Sequence, residues 1–316
     1  MDEFELIATY FVRPDSRADV IEGIGDDGAV LRPPPGMDLV TVVDTLVGDV
    51  HFPAGTDETS ARSVGHRSVA VNLSDIAAMG AEPRWMTLAL TLPGATAEWL
   101  RLYAEGLHRI AQEHGVALVG GDTTSGDCIV STVQITGLVE PGRAVCRSGA
   151  RPGDTVYVTG TVGDAAAGLY LLEQPEPRVS ELHEMLQDRF QFPAPRVAVG
   201  RELANFASAA IDISDGLYTD LGKLLAASGV GATIDFDRLP LSASLRACFD
   251  EDRRRRFALS GGDDYELCFT SARDLPREIA GVPVTAIGTV TAGSGIDCES
   301  GGAVVDFVDS GYVHFG

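Results

Sequence analysis

The sequence predicts a two-domain α/β protein, and three observations carry that reading. Apolar, β-branched runs alternate with stretches of helical periodicity in both halves of the chain. The 316 residues, 45% of them hydrophobic, suffice for two cores rather than one. A turn-rich stretch at 147–153 interrupts the alternation, which sets the expected domains at residues 1–147 and 148–316.

The elements follow in chain order. Residues 39–43 form a β-branched run ending at Asp44, which predicts a strand. Residues 60–79 carry Val64, Ser68, Val71, Ser74, Ile76 and Met79 at mostly helical spacing and stop at Gly80, so a helix is expected with a glycine at its C-terminus. A strand is expected over 84–92, between Pro83 and Pro93, and a helix over 97–113, with Leu100, Tyr103, Leu107 and Ile110 on its apolar face. A short strand over 116–119 should meet a loop at Gly120-Gly121-Asp122, and 128–139 reads as a long strand. The second half restarts the pattern: strands at 155–159, 210–213, 232–236, 265–270 and 284–290, helices at 164–172, 195–207 and 217–227, and a surface loop at 173–179.

Composition narrows the function. A net charge of -22 disfavours bare nucleic acid or an acidic membrane as partner, since repulsion must be overcome before contact. No apolar run approaches the ~20 residues of a membrane span, and the first residues lack the basic, then apolar pattern of a signal peptide. Five widely spaced cysteines without a C-x-x-C pair suit reduced, buried thiols better than a disulfide framework or a zinc site. A soluble cytoplasmic protein is expected.

Asp recurs along the chain, mostly beside Gly at expected strand ends and loops: Gly25-Asp26-Asp27-Gly28, Asp44, Asp75, Gly120-Gly121-Asp122, Asp212-Ile213-Ser214-Asp215-Gly216 and Gly261-Gly262-Asp263-Asp264. Glycine lets backbone approach a ligand closely, while gathered carboxylates repel one another unless hard cations separate them. A magnesium-bound polyphosphate satisfies both demands, so phosphoryl transfer is the leading reading. Taken singly, Asp26 and Asp27 suit solvated turn positions and Ser214-Asp215 a helix cap; the cap geometry also presents free amides to a phosphate. Asp75 is less ambiguous, because it lies in an apolar stretch where an unpaired carboxylate is costly.

Familiar nucleotide motifs are absent. Gly23 to Gly28 formally matches G-x-G-x-x-G, but two carboxylates occupy the turn and an extended segment rather than a helix follows. Gly222-Lys223 is followed by Leu224 inside an expected helix, so it is no Walker A motif, and the protein-kinase signatures are missing.

The strings GIGDDGAV (23–30), VDTLVGDVHF (43–52), AVNLSDIAAMGAEP (70–83), VGGDTTSGD (119–127), RSGARPGD (147–154), IDISDGLYTDLG (211–222) and SGGDDYELCFT (260–270) resemble the thiamine-monophosphate kinase family, in order and over nearly the whole chain to Gly311-Tyr312-Val313-His314-Phe315. The wider aminoimidazole ribonucleotide synthetase-like superfamily shares the scattered Asp architecture but not these strings. The resemblance implies a homodimer whose N-terminal sheets form a barrel, a C-terminal α/β domain completing the active-site cleft, and transfer of the ATP γ-phosphoryl group to thiamine monophosphate. It also implies Mg2+ ions at Asp27, Asp44, Asp75, Asp122, Asp212 and Asp215, ATP contacts at Tyr103, Gly121, Asp122, Arg147 and Ser214, and substrate contacts at His51, Asp263 and Tyr312. Asp44, Asp122 and Arg147 are the expected catalytic set.

Two departures from the family pattern stand out. Val42 and Val43 replace the usual Ser-Thr before Asp44, so a metal contact there must use backbone carbonyls. Asp263 stands where Glu is usual, one methylene shorter. The rivals are a synthetase of the same superfamily, acting on a purine precursor or on selenide, and a non-catalytic divalent-ion or nucleotide sensor. No Cys precedes Cys128, which weakens the selenide alternative.

Overall fold

The computed structural model describes residues 3–13, 17–53, 58–94, 96–174 and 180–307; Tyr312 and positions 175–179 of the expected loop lie outside them. Contacts divide the chain into two compact units, Met1–Ile76 with Ala81–Arg143, and Ala77–Gly80 with Ala144–Gly316. Among the described residues no helix is long and apolar enough to cross a membrane.

The first unit runs α1 (Glu3–Tyr10), β1 (Val20–Glu22), β2 (Val30–Leu31), β3 (Asp38–Val47), α2 (Glu58–Ala78), β4 (Glu82–Leu92), α3 (Ala97–Glu113), β5 (Ala117–Ser125) and β6 (Val130–Val139). Its main sheet has the order β3-β6-β4-β5, antiparallel except for the parallel pair β4 and β5. α3 begins where Thr96 Oγ1 accepts the Trp99 amide at 3.1 Å, and its apolar residues face inward. α2 and α3 cross backbone to backbone: a Cβ on Gly65 would stand 2.0 Å from the Tyr103 carbonyl oxygen, and one on Gly106 2.0 Å from that of Arg62. Only glycine permits that approach.

The two faces of this sheet differ. On one, Ser131 Oγ donates to Ser68 Oγ of α2 at 2.8 Å and shares a 2.7 Å bond with the Tyr103 hydroxyl of α3, so helices cover buried Leu88, Leu90, Val133 and Ile135. On the other, the β1–β2 ribbon lays Val20 and Leu31 over Trp85, Ala117, Val119 and Leu138 at one end. Beyond the ribbon that face is uncharged along β3 and β6, with Thr41 bonded to Thr136 at 3.3 Å and Thr45 to Thr132 at 2.9 Å. Val43 lies between these pairs and is 61% exposed.

One expectation needs correction here. Gly120-Gly121-Asp122 does not mark the end of a strand but lies inside β5, which continues to Ser125. A register shift between Met86 and Thr87 admits an extra residue at Val119, and Gly121 then fits against β4, where a Cβ would be 1.9 Å from the Leu88 carbonyl oxygen.

The second unit runs β7 (Thr155–Thr159), α4 (Asp164–Leu172), α5 (Glu181–Gln191), α6 (Val197–Leu203), β8 (Ala209–Asp212), α7 (Leu217–Ser228), β9 (Gly231–Asp235), α8 (Ala243–Cys248), α9 (Glu251–Ser260), β10 (Leu267–Ser271), β11 (Glu278–Ile279), β12 (Val282–Thr291), β13 (Gly295–Ser300) and β14 (Ala303–Val305). The sheet order is β14-β13-β9-β12-β7-β10-β8, with β11 beside β12; β13 and β9 are parallel and the other pairs antiparallel. Val156, Val158, Ile211, Leu221, Leu224 and Leu259 join sheet, α7 and α9 in one core. The helix expected over 195–207 is the shorter α6, because Pro195 precedes it and its last turn loosens after Leu203. α5, α8 and α9 have no counterpart among the helices the sequence predicts.

Candidate active site

In the first unit the Gly23–Gly28 stretch folds into a turn that closes on itself, the Asp27 amide donating to Asp26 Oδ1 at 2.8 Å. Gly25 sits at φ 127°, a conformation L side chains rarely adopt. This turn and the Leu118–Thr123 stretch of β5 line one cavity of about 430 Å³, closed on a further side by Ile7 of α1 and by Phe11 just after it. The fold therefore gathers Asp26, Asp27, Gly121 and Asp122 at one opening, with glycine backbone as part of its wall. All three carboxylates are exposed.

The other expected residues of this unit stand apart from that cavity wall. Asp44 is half-buried on β3, in a cross-strand row with Val133, Leu88 and Gly121, and Val42 shares its face while Val43 does not. As β3 is an edge strand, alternate carbonyls along it are left out of the ladder, the arrangement a backbone metal contact at Val42 or Val43 would require. Asp75 is half-buried on α2. His51 follows β3 in a turn, and its Nδ1 accepts the Val47 amide at 3.0 Å, so the ring proton resides on Nε2 in the neutral form.

Tyr103 does not present a nucleotide-binding surface. It is fully buried, stacked on Trp99 with ring centroids 5.3 Å apart, its hydroxyl is held by Ser131, and burial pushes its pKa up to about 12. Its helical spacing places it on the apolar face of α3, in the core, away from the ATP contact that the resemblance implies.

In the second unit two loops pair edge to edge. The Ile213 amide donates to the Glu266 carbonyl at 2.8 Å, the Tyr265 amide to that of Ile213 at 2.9 Å, and the Asp263 amide to that of Ser214 at 2.9 Å. Asp212, Ser214, Asp215 and Asp263 thereby come from a single loop pair. Gly262, at φ 68°, makes the approach, since a Cβ there would be 2.4 Å from the Ser214 carbonyl oxygen. Asp263 and Tyr265 also have positive φ, 60° and 51°, and the Tyr265 hydroxyl donates to Asp263 Oδ1 at 3.0 Å. Strain of this kind persists only where the surroundings enforce it.

Those surroundings were not read from the sequence. Fully buried Glu266 accepts Thr159 Oγ1 at 2.7 Å, Arg189 at 2.9 Å and Arg196 Nε at 2.6 Å. Buried Asp264 accepts the Gly163 amide at 2.6 Å and the Ala165 amide at 3.2 Å at the start of α4, and burial pushes its carboxyl up to about 8. Asp220, the fourth residue of α7, turns back to accept the Ser214, Asp215 and Gly216 amides on Oδ2 at 2.9, 2.9 and 3.2 Å. Lys223 donates to Asp220 Oδ1 at 2.8 Å and to the Asp215 carboxylate. Burial disfavours the Lys223 charge, but its bonds to Asp215 and Asp220 prevail and raise its pKa. Burial likewise raises the Asp220 pKa, and the amides with Lys223 oppose it. The i,i+3 spacing of Asp220 and Lys223 was the available signal.

Arg147 is exposed in the turn preceding β7, and Ser228 Oγ anchors that turn by donating to the Arg147 carbonyl and accepting the Gly149 and Ala150 amides, each at 3.2 Å. Ser228 ends α7, whereas Ser214 and Asp215 precede its start, so within this unit Arg147 and Asp215 are separated by roughly the length of that helix, ~18 Å.

Among the described residues no three His, Cys, Asp or Glu side chains form a ready-made metal cluster. The first cavity nonetheless suits Mg2+, which takes hard oxygen donors, keeps several waters and binds through one or two carboxylates plus phosphate. Asp215 fits less well, because an ammonium already occupies its carboxylate.

The chain matches AIR synthase related protein, N-terminal domain, over residues 25–139 and AIR synthase related protein, C-terminal domain, over residues 151–299. It is 46% identical to thiamine-monophosphate kinase of Salmonella typhimurium, with 99% of this chain and 98% of that protein covered. The crystal structure of thiamine-monophosphate kinase from Stenotrophomonas maltophilia K279a superposes with TM-score 0.84 at 43% identity, covering 92% of this chain and 93% of that one. The structure of AaThiL complexed with AMPPCP and TMP superposes with TM-score 0.80 at 32% identity, covering 92% of each chain.

Proposed function

The chain belongs to the AIR synthase related family, and within it to the thiamine-monophosphate kinases, and from that premise we propose how its own residues carry the reaction. The activity is ATP-dependent phosphoryl transfer to thiamine monophosphate, giving thiamine diphosphate and ADP. The bond between the ATP γ-phosphorus and its bridging oxygen breaks, and a bond forms from an oxygen of the acceptor phosphate. The acceptor is already anionic, so no protein nucleophile or strong base is required.

The observation that carries the site assignment is the cavity shared by the Gly23–Gly28 turn and the Gly120–Thr123 segment of β5. Its glycine backbone lets phosphate oxygens approach closely. Asp27 and Asp122 would hold Mg2+ there; Asp44, Asp75 and the carbonyl of Val42 or Val43 in the first unit, and Asp212 in the second, would hold further ions. Mg2+ held by these residues would supply positive charge to offset the negative charge developing on the phosphates as the bond breaks. In the second unit the Ser214 side chain would contact phosphate at the head of α7, whose amides Asp220 already holds, and Arg147, at the other end of that helix, would supply a separate cationic donor. His51, through Nε2, and Asp263, fixed by Tyr265, orient the thiamine phosphate together with Tyr312.

The exposed, uncharged face of β3 and β6 supports a homodimer joined through these sheets. The free cysteines support a cytoplasmic location. Incubation with ATP, Mg2+ and thiamine monophosphate should give thiamine diphosphate and ADP one for one. Nucleotide binding without product would instead identify a sensor.

A further inference from the structure

Lys223 places an ammonium on a carboxylate where the family resemblance leads one to expect a metal ion. Its Nζ bonds the Asp215 carboxylate and, at 2.8 Å, Asp220 Oδ1. The three partners differ in exposure: Asp220 is 1% exposed, Asp215 35% and Lys223 39%. Asp220 is thus the buried pivot. One oxygen gathers the three amides at the head of α7 and the other holds the ammonium. The ammonium in turn fixes the more open Asp215 at the mouth of the loop. A lysine ammonium has three donors, so one remains for an oxygen outside this pair.

Asp215 therefore has a tethered monovalent counter-ion. A divalent ion bound to the same carboxylate would sit beside that ammonium, and the two positive charges would repel at contact distance. We propose that Lys223 takes the place of a divalent cation at Asp215, positioning this carboxylate and neutralising it, so that the chain binds one metal ion fewer than it would without the lysine. The proposal rests on the kinase reading of this loop, and on nothing in the first unit.

The test counts ions directly. Full-length protein saturated with AMPPCP is titrated with Mn2+, and free Mn2+ is read by electron paramagnetic resonance. Lys223→Met and Lys223→Gln should each bind one more Mn2+ per chain than the unaltered protein. Lys223→Arg, which keeps the charge, should bind the unaltered number. Adding Asp215→Asn to Lys223→Met should abolish the gained ion. Equal counts in the unaltered, Met and Gln proteins, or a gained ion that survives Asp215→Asn, overturns the proposal. Thiamine diphosphate formation by the unaltered protein is measured in parallel, so failure of the kinase reading shows as absent turnover, while the ion count decides the role of Lys223 either way.

Discussion

Asp44 and Asp122 stand in neighbouring cross-strand rows of one sheet and point to opposite faces of it. The row of Asp44 runs through Val133 and Leu88, both buried, to Gly121; the next row runs from Thr45 through Thr132 and Ala89 to Asp122. Two carboxylates so placed do not grip one ion between them from the middle of the sheet. They act together only around the C-terminal ends of β3 and β5, which point the same way because β3 and β4 are each antiparallel to β6 and β5 is parallel to β4.

This geometry separates two variants that look equivalent in the sequence. Asp122→Asn alters an exposed cavity residue and should lower kcat roughly a hundred-fold or more with the melting temperature unchanged. Asp44→Asn should lower kcat by a similar factor and also shift the melting temperature, because its site is half-buried. Steady-state kinetics at saturating Mg2+, paired with calorimetry, checks both. Normal turnover in either variant removes that residue from the site.

How far the sequence discloses this molecule depends on whether a residue's role is local. The helix expected over 97–113 is α3 to the residue, because Thr96, the apolar spacing and Gly115 all act within one segment. The strand expected over 116–119 stops short of the observed β5 because Gly120-Gly121 reads as a turn, and only the fit of Gly121 against the Leu88 carbonyl shows why the strand continues. α9 begins with a run of charged residues that carries little apolar periodicity, so its packing against α7 and α4 decides its helicity. The Asp-Gly clusters were legible as candidate site residues. Asp220, Lys223 and Glu266 were not, since a helix-face charge and a strand-end Glu acquire their roles only from partners brought in by the fold.

Glu266 carries the scaffold of the Asp263 loop. It is fully buried and meets Arg189 and Arg196 as well as Thr159. Glu266→Gln keeps the shape but leaves two guanidinium groups facing a neutral amide, a loss of about 3 kcal/mol. Urea denaturation should show that loss. KM for thiamine monophosphate should rise more than KM for ATP if the loop presents Asp263 to the acceptor.

Acid stability offers a test in the first unit. Hydrogen bonding to Arg17, aided by Arg84, holds the Asp19 carboxyl at about 2, below its ordinary value of 3.8. A lowered carboxyl pKa stabilises the fold above the unfolded value and loses that contribution as pH falls through the folded one. Asp19 links Arg17 to Arg84 of β4 and so ties the β1–β2 ribbon, and the Gly23–Gly28 turn between its strands, to the sheet. Asp19→Asn should lower the melting temperature at pH 7, and the gap to the unaltered protein should shrink between pH 3.8 and about 2. A gap independent of pH would mean that this ion pair contributes nothing to holding the ribbon.

The open face of the first unit's sheet sets the last test. Val43 is 61% exposed and Leu39 is 56% exposed, on a strand whose neighbouring outward residues are threonines paired across to β6. A monomer gains nothing from exposing valine and leucine on a charge-free surface, whereas a two-fold partner would cover them with the same residues of its own. Val43→Arg sets a guanidinium against its symmetry mate in such a dimer and leaves the covered face of the sheet untouched. Light scattering after size exclusion should therefore give the dimer mass for the unaltered protein and the monomer mass for Val43→Arg, with far-ultraviolet dichroism unchanged. A variant that stays dimeric would place the subunit contact elsewhere and leave this face without its assigned role.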